Sequence, residues 1–453
     1  MAEELDLSKM RRILVVNSRS GPAKLSGQVM WGAWAVASYL KTAVKDADVV
    51  YLDENNEDDF FAKFAEAVKD RDTACFSVTS MQIKHTLPLI RYVKEKHPGA
   101  RVITGGIHHI LFPEQPHGAL IDAAASYELP RGSFLYEFLP KKVRETYRRE
   151  RAQVLTGFNC SFKCAFCVNS VRNCRYEARP LPEILADLDY VVKEFDPPLV
   201  YFRDEDFFFD MEKAKAVIAH ILERGYRFKW EATSRVTNFN DTRINDALLE
   251  RMAGSGCMQL RFGVESGSQK TLNYLRKGQT VAQIKRAVAQ CVKYGIGANC
   301  SLLTGLPGET PADREETFRL ITELHEMGPL VVILGPQVYR PYPGGTIYEE
   351  VKKYGLKFPS SFGEWENFYD NNPTGSVFDE DPSYPWLSAE ENKYLPRAWE
   401  VAHYGLNWSA SGNPVKKLIG FWFKHAHWNK RWFGGPDLAL FMLIRKRLLK
   451  SGI

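Results

Sequence analysis

The chain has 453 residues, 45% of them hydrophobic and 25% charged, with a formal net charge of +5. This is ordinary composition for a soluble protein and leaves room for two or three domains. No apolar stretch approaches the roughly 18–20 residues a bilayer span needs, the acidic, polar start Met-Ala-Glu-Glu-Leu-Asp does not read as a secretory signal, and eight cysteines, three of them clustered, fit metal chemistry in a reducing compartment better than a disulfide framework. The expected location is the cytoplasm.

Residues 12–126 read as alternating strands and helices. Apolar runs at 13–16, 49–52, 74–78, 101–104 and 120–125 predict strands, and the stretches 30–44, 58–69 and 86–96 predict helices. That alternation predicts an α/β, Rossmann-like, doubly wound parallel sheet over about residues 1–130. Ligands of such sheets sit beyond the carboxyl ends of the strands. Those ends read Asn17-Ser18-Arg19-Ser20-Gly21, Ser77-Val78-Thr79-Ser80 and Thr104-Gly105-Gly106-Ile107-His108. Small residues at three strand ends let a large, flat or phosphate-bearing ligand come close to the backbone.

A linker over 131–150 leads to Cys160, Cys164 and Cys167, spaced Cys-x3-Cys-x2-Cys, with Phe166 just before the last. Iron–sulfur clusters are normally held by four thiolates, so three from one loop leave an iron open, as a catalytic metal site requires. The plainer readings are a zinc knot or three unrelated thiols. Structural zinc usually takes four ligands, commonly as paired Cys-x2-Cys halves, and no second pair is present. Cys75, Cys174, Cys257, Cys291 and Cys300 read as small hydrophobes in strands or helices, without ligand spacing.

Over 151–350 the alternation resumes. Strands are predicted at 152–156, 199–202, 228–232, 258–262, 298–303 and 331–338, and helices at 181–195, 211–223, 246–254, 281–294 and 312–327. Six such units fit a partial (β/α)6 barrel, whose catalytic groups gather at the carboxyl ends of the strands. Those ends carry Arg203-Asp204-Glu205-Asp206, Thr233-Ser234-Arg235, Gly263-Val264-Glu265-Ser266-Gly267-Ser268, Thr304-Gly305-Leu306-Pro307-Gly308-Glu309-Thr310 and Gln337-Val338-Tyr339-Arg340. Taken alone, the acids could be a solvated loop and Arg235 a surface ion pair.

Residues 351–453 read as a mainly helical, aromatic and basic region covering the substrate. Trp365, Phe368, Tyr369, Tyr384, Trp386, Tyr394 and Trp399 come first. From 416 to the end, nine Lys/Arg stand against one acid, Asp437, interleaved with Trp422, Trp428, Trp432 and Phe441. Basic side chains mixed with Trp, Phe and Leu suit either an interfacial membrane segment or aromatic packing against the barrel.

The cysteine loop, followed in order by the Glu265-Ser266 and Gly305–Glu309 turns, resembles the signature of the radical S-adenosylmethionine (SAM) superfamily. The unit upstream looks like the cobalamin-binding domain of cobalamin-dependent radical SAM enzymes. The resemblance implies a 4Fe-4S cluster on Cys160, Cys164 and Cys167. It places SAM near Phe166, Asp204, Asp206, Arg235, Glu265, Ser266, Gly305, Pro307 and Gly308. Cobalamin falls near Ser18, Ser77, Thr79, Ser80, Gly105, Gly106, His108, Gln337 and Tyr339. The Asp-x-His-x-x-Gly motif of other cobalamin proteins is absent, its nearest match beginning Asp53-Glu54-Asn55, so no histidine is expected below cobalt.

The resemblance further implies a methyltransferase that uses a 5′-deoxyadenosyl radical and methylcobalamin on an unactivated carbon or a phosphinate phosphorus. Its substrate would be a small or lipid-like molecule, and its electron donor a flavodoxin or ferredoxin. Nucleic acid is not expected as a partner, because a methylthiotransferase of transfer RNA would need a second cysteine trio where this chain has only Cys75. The rival readings are a ring-forming or oxidising enzyme with the same cofactors, and a non-enzymatic iron–sulfur protein.

Overall fold

The computed structural model describes residues 6–21, 24–127, 134–172, 174–341, 343–368 and 384–392, then 395, 402, 405–406, 408–409 and 412–423. The first unit runs β1 (Arg12–Asn17), α1 (Trp31–Ala43), β2 (Asp48–Asp53), α2 (Phe60–Ala67), β3 (Thr73–Ser77), α3 (Ile83–Lys96), β4 (Arg101–Gly105), α4 (Ile107–Leu111) and β5 (Ala123–Ala124). Its strands are parallel in the order β2-β1-β3-β4-β5. In β1, Ile13, Leu14, Val15 and Val16 are all fully buried. Leu14 and Val16 pack with Phe64 and Ile90, whereas Ile13 and Val15 pack with Ala37 and Leu40. A continuous apolar run is what a strand covered by helices on both faces requires. The strand order reverses between β1 and β3, which opens a crevice at their carboxyl ends.

Two sequence expectations change here. The strand expected at 120–125 shortens to Ala123–Ala124, because the Asp122 carboxylate takes the Val102 N–H at 2.6 Å in place of a neighbouring carbonyl. The expected linker contains α5 (Lys141–Arg149), whose Val143 and Tyr147 are completely buried in the core shared with the barrel. Their i, i+4 spacing gives an otherwise charged helix one apolar face. Residues 128–133 lie outside the described ones.

The second unit runs β6 (Ala152–Val154), the hairpin β7 (Gly157–Phe158) and β8 (Glu177–Ala178), α6 (Leu181–Phe195), β9 (Leu199–Phe202), α7 (Met211–Arg224), β10 (Lys229–Ser234), α8 (Asp246–Gly254), β11 (Cys257–Glu265), α9 (Gln269–Tyr274), α10 (Val281–Lys293), β12 (Gly297–Thr304), α11 (Pro311–Glu326), β13 (Val331–Val338) and α12 (Thr346–Val351). Six parallel strands in the order β13-β12-β11-β10-β9-β6 form the expected partial barrel. Asp210, Asn245, Thr280 and Thr310 cap helices α7, α8, α10 and α11 by accepting a backbone N–H, which fixes where each helix begins. Phe202, Trp230, Leu260, Phe262 and Ile333 point outward into the helix layer. Alternation along the strands turns Tyr201, Glu231, Arg261 and Asn299 inward.

The chain after the barrel divides its contacts. Phe362 and Trp365, each 1% exposed, enter the core of the first unit, and Glu366 pairs with Arg91 on α3 at 2.6 Å. Trp386 instead donates to the Gly305 carbonyl at the barrel mouth, at 2.8 Å. Helix α13 (Pro414–Phe423) leaves Val415, Leu418 and Phe421 exposed on its surface. Tyr369, Tyr394, Trp399, Trp428, Trp432 and Phe441 lie outside the described residues. Among the described residues, no helix is long and apolar enough to cross a membrane.

Candidate cofactor site

The three cysteines occupy the loop between β7 and β8. Cys164 is buried and Cys160 and Cys167 are half-buried. The Ala165 N–H donates to the Leu275 carbonyl at 2.9 Å, and Ile347 N–H donates to the Ala165 carbonyl at 3.3 Å. Gly345 lets the turn after β13 close on this loop: its φ is +88°, and a Cβ there would sit 2.5 Å from the Ala165 oxygen. Burial raises the Cys160 thiol and pushes Cys167 up to about 11, with the Glu205 carboxylate adding to both. A bound metal centre would supply the positive charge that converts such thiols to thiolate ligands. Among the described residues no three His, Cys, Asp or Glu side chains form a single-ion site. A cubane asks for a different arrangement, with each thiolate on its own iron.

Arg235 joins the loop to the barrel rim. Its Nη1 donates to Cys164 Sγ at 3.7 Å, its Nη2 donates to the Lys277 carbonyl, and its guanidinium lies 3.7 Å from the Phe162 ring centroid. Lys277 in turn pairs with Glu265 at 3.0 Å, both about nine-tenths buried, and its ammonium sits 5.8 Å from the Phe166 ring. Glu265 adopts φ +64° at the end of β11, where the register with β12 shifts. Asp206 accepts from Asn238 Nδ2 at 2.9 Å, and burial raises its carboxyl to about 6 against the pull of Asn238 and Arg235. The structure thus brings Cys164, Phe166, Asp206, Arg235 and Glu265 into one connected group.

Other expected SAM residues take supporting positions. Asp204 is 1% exposed and accepts from the Thr156 N–H and hydroxyl at 3.1 and 2.8 Å, anchoring the end of β6. Ser266 is fully buried against the Thr317 hydroxyl at 2.8 Å, holding α11 to β11. Gly305 adopts φ +69° and Gly308 φ +74°. The Gly305 N–H donates to Glu309 Oε2 at 2.5 Å, and Pro307 is buried beside them. Burial raises the Glu309 carboxyl to about 7. Cys174, expected in a strand or helix, is in the loop before β8 and half-buried. Sequence reasoning misses Lys277 and Asn238; the run Leu275-Arg276-Lys277-Gly278 directly after α9 is the available signal for the first.

A cavity of about 440 Å³ lies between the two units, walled by Gly32 and Val36 of α1, by Ser77, Gly105 and Gly106 at the strand ends, and by Phe158 of the barrel. Asn159 and Arg172 line both this cavity and a wider opening of about 950 Å³ that includes Cys174 and Tyr176. Gly106 has φ +95°, and a Cβ there would stand 2.8 Å from the Val78 nitrogen. The small residues at the ends of β3 and β4 are therefore walls of a real space.

Ser18, Thr79, Ser80 and His108 are not among the residues lining it. Ser18 Oγ accepts from the Thr86 hydroxyl at 3.1 Å, and Thr79 closes a capping box with Gln82. His108 is 1% exposed, with Nδ1 2.8 Å from the Ser80 hydroxyl and Nε2 3.0 Å from Gln115 Oε1. The sequence places it at the ligand face, but the turn into α4 swings it inward beneath Phe362 and Trp365. Gln337 is exposed on β13, and Tyr339 is buried against Trp386.

Burial lowers His108 to about 4 and its neighbour His109 to about 3. The unfolded imidazole titrates near 6.5, so both favour folding fully above that pH. Their contribution is lost as pH falls from 6.5 through the folded values, by roughly 3 kcal/mol for His108 and roughly 5 kcal/mol for His109. Urea unfolding across pH 7 to 4 is expected to show this loss, and His108→Gln should flatten part of it. An unchanged slope in that variant would refute the assignment.

Residues 154–321 match the family described as the radical SAM superfamily, so the barrel is a radical SAM domain. The chain is 27% identical over 215 residues to the uncharacterized methyltransferase PH0819 of Pyrococcus horikoshii, spanning 47% of this chain and 45% of that protein. It is 23% identical over 192 residues to the anaerobic magnesium-protoporphyrin IX monomethyl ester cyclase of Rubrivivax gelatinosus, over 42% of this chain and 33% of the cyclase. The chain thus spans less than half the length of these curated relatives. The fold is that of the radical SAM methyltransferase TsrM from Kitasatospora setae, with a TM-score of 0.62 at 16% identity over 98% of this chain and 100% of the other. It is equally that of the cobalamin-dependent enzyme OxsB, with a TM-score of 0.62 at 14% identity over 98% and 80%.

Proposed function

We propose that this radical SAM protein is a cobalamin-dependent methyltransferase acting on an unactivated carbon, or a phosphinate phosphorus, of a small or lipid-like substrate. The observation that carries the reading is the cavity at the ends of β3 and β4 opening beside a loop with three thiols, two of whose neighbours, Asn159 and Arg172, line both spaces. It is supported by two relatives described as methyltransferases, PH0819 and TsrM, and by structures of TsrM and OxsB that contain cobalamin.

Cys160, Cys164 and Cys167 would hold a 4Fe-4S cluster, with SAM at its open iron and cobalamin in the adjoining cavity, and these groups supply the radical and methyl-transfer chemistry. Arg235 and Lys277 set two cations beside the loop, while Glu265 and Asp206 give acceptors for an amino group or ribose hydroxyls. Ser77, Gly105 and Gly106 leave room for a flat ring, and Phe158 and Val36 keep water from it. No histidine is among the described residues lining that cavity.

Anaerobic reconstitution with iron, sulfide and cobalamin, followed by product analysis, tests the reading. Methyl transfer yields both 5′-deoxyadenosine and S-adenosylhomocysteine. The first product alone selects the ring-forming or oxidising chemistry, and neither product refutes the reading. The electron is assigned to a flavodoxin or ferredoxin. The proposal extends to a cytoplasmic protein whose α13 meets a membrane surface, a reading supported by Val415, Leu418 and Phe421 exposed at three-residue spacing beside Lys416 and Lys417. Flotation with anionic vesicles is expected for the full chain and not for one ending before Lys416; equal behaviour removes the membrane contact.

A further inference from the structure

Three arginines gather on one tyrosine ring inside the barrel. The guanidinium carbons of Arg261, Arg151 and Arg203 lie 4.7, 5.3 and 5.7 Å from the Tyr201 ring centroid. Glu231, in register with Tyr201 on the next strand, is 3% exposed and pairs with Arg151 and Arg261, each at 2.9 Å. One carboxylate thus serves two guanidiniums. Arg203 is exposed, and among the described residues its side chain has the Tyr201 ring as its contact and no ion pair.

Strand register fixes where this charge faces. Thr233 is paired with Arg261, and Arg203 directly follows Phe202, the partner of Ala232. Arg203 and Arg261 therefore flank Thr233 in one inward layer, two residues along β11 below Gly263 and four below Glu265. Asn299, paired with Arg261, extends the polar layer onto β12. Guanidiniums crowded without a matching count of carboxylates repel one another. An arriving oxyanion relieves that repulsion and can be held by two N–H donors of one guanidinium.

We propose that the barrel interior binds an anionic group of the substrate, a carboxylate or a phosphate, on Arg203, with Arg261 as second donor and Tyr201 as the platform. The site deepens the enzymatic reading and rests on it for the anion's belonging to a substrate. With the anion anchored in this layer, the atom to be modified lies above it, toward Glu265 and the cysteine loop.

The test is calorimetric titration of the anaerobically prepared, cluster-loaded full chain with inorganic phosphate and, separately, with acetate, at fixed ionic strength against chloride. Saturable binding of either anion is expected, and the tighter of the two names the group. Arg203→Gln should weaken it about tenfold or more, and Arg203→Lys should fall between, since it keeps the charge but not the fork. S-adenosylhomocysteine should bind Arg203→Gln as it binds the unsubstituted protein. Absence of anion binding beyond chloride, or its persistence in Arg203→Gln, overturns the proposal. So does a matching loss of S-adenosylhomocysteine affinity, which would give the arginine to the cofactor. The anion titration does not depend on turnover, so its failure is distinct from failure to form 5′-deoxyadenosine.

Discussion

Cys164→Ala is expected to lower iron content and visible absorbance after reconstitution and to bring 5′-deoxyadenosine formation down to background. Of the three loop thiols, Cys164 is the buried one, and it alone has Arg235 beside it at hydrogen-bond range. Losing it leaves two thiolates for a cluster that needs at least three, and leaves the guanidinium facing a void. The fold itself should survive, because the Ala165 and Ile347 backbone bonds, the Gly345 turn and the Arg235 contact with Phe162 still hold the loop when the Cys164 thiol is gone. Circular dichroism of the variant should therefore match the parent. Full iron loading with undiminished SAM cleavage would take the cluster away from this loop.

Lys277→Met is expected to cost roughly 3–5 kcal/mol of stability, because it leaves the Glu265 carboxylate buried without its cation. The pair is 3.0 Å apart, with both side chains below one-tenth exposed. The backbone carbonyl of residue 277 still accepts from Arg235, so the loss belongs to the ammonium. Adding Glu265→Gln should return most of the stability, since the unpaired charge is then gone. Chemical denaturation of the two single variants and the double variant measures the cycle. A double variant no more stable than Lys277→Met would show that the ion pair is not the source of the cost.

Much of this architecture is legible because local rules and tertiary packing agree. The runs 181–195 and 246–254 coincide with α6 and α8, where the apolar pattern of the sequence agrees with the observed ends, the second capped by Asn245. The cysteine loop is legible for a different reason: its ligands come from one short segment, so no long-range information is needed. The place of His108 is not legible, because Phe362 and Trp365, about 250 residues downstream, complete its surroundings. Asp204 and Asp206 look alike in sequence, yet one locks the end of β6 and the other meets Asn238 near Arg235. Lys277 escapes notice because its role depends on the left-handed turn at Glu265, which places the carboxylate against it. Arg203 heads an acidic run in the sequence; only strand register shows that it turns into the barrel.

The route of the chain past residue 350 bears on its birth as well as its final form. Phe362 and Trp365 are seated in the hydrophobic interior of the first unit, so a nascent polypeptide emerging from the ribosome carries an unfilled apolar socket until the barrel has been translated. The clasp then closes from behind, tying segments on either side of the barrel together, so that maturation of the amino-terminal half waits on synthesis of the barrel.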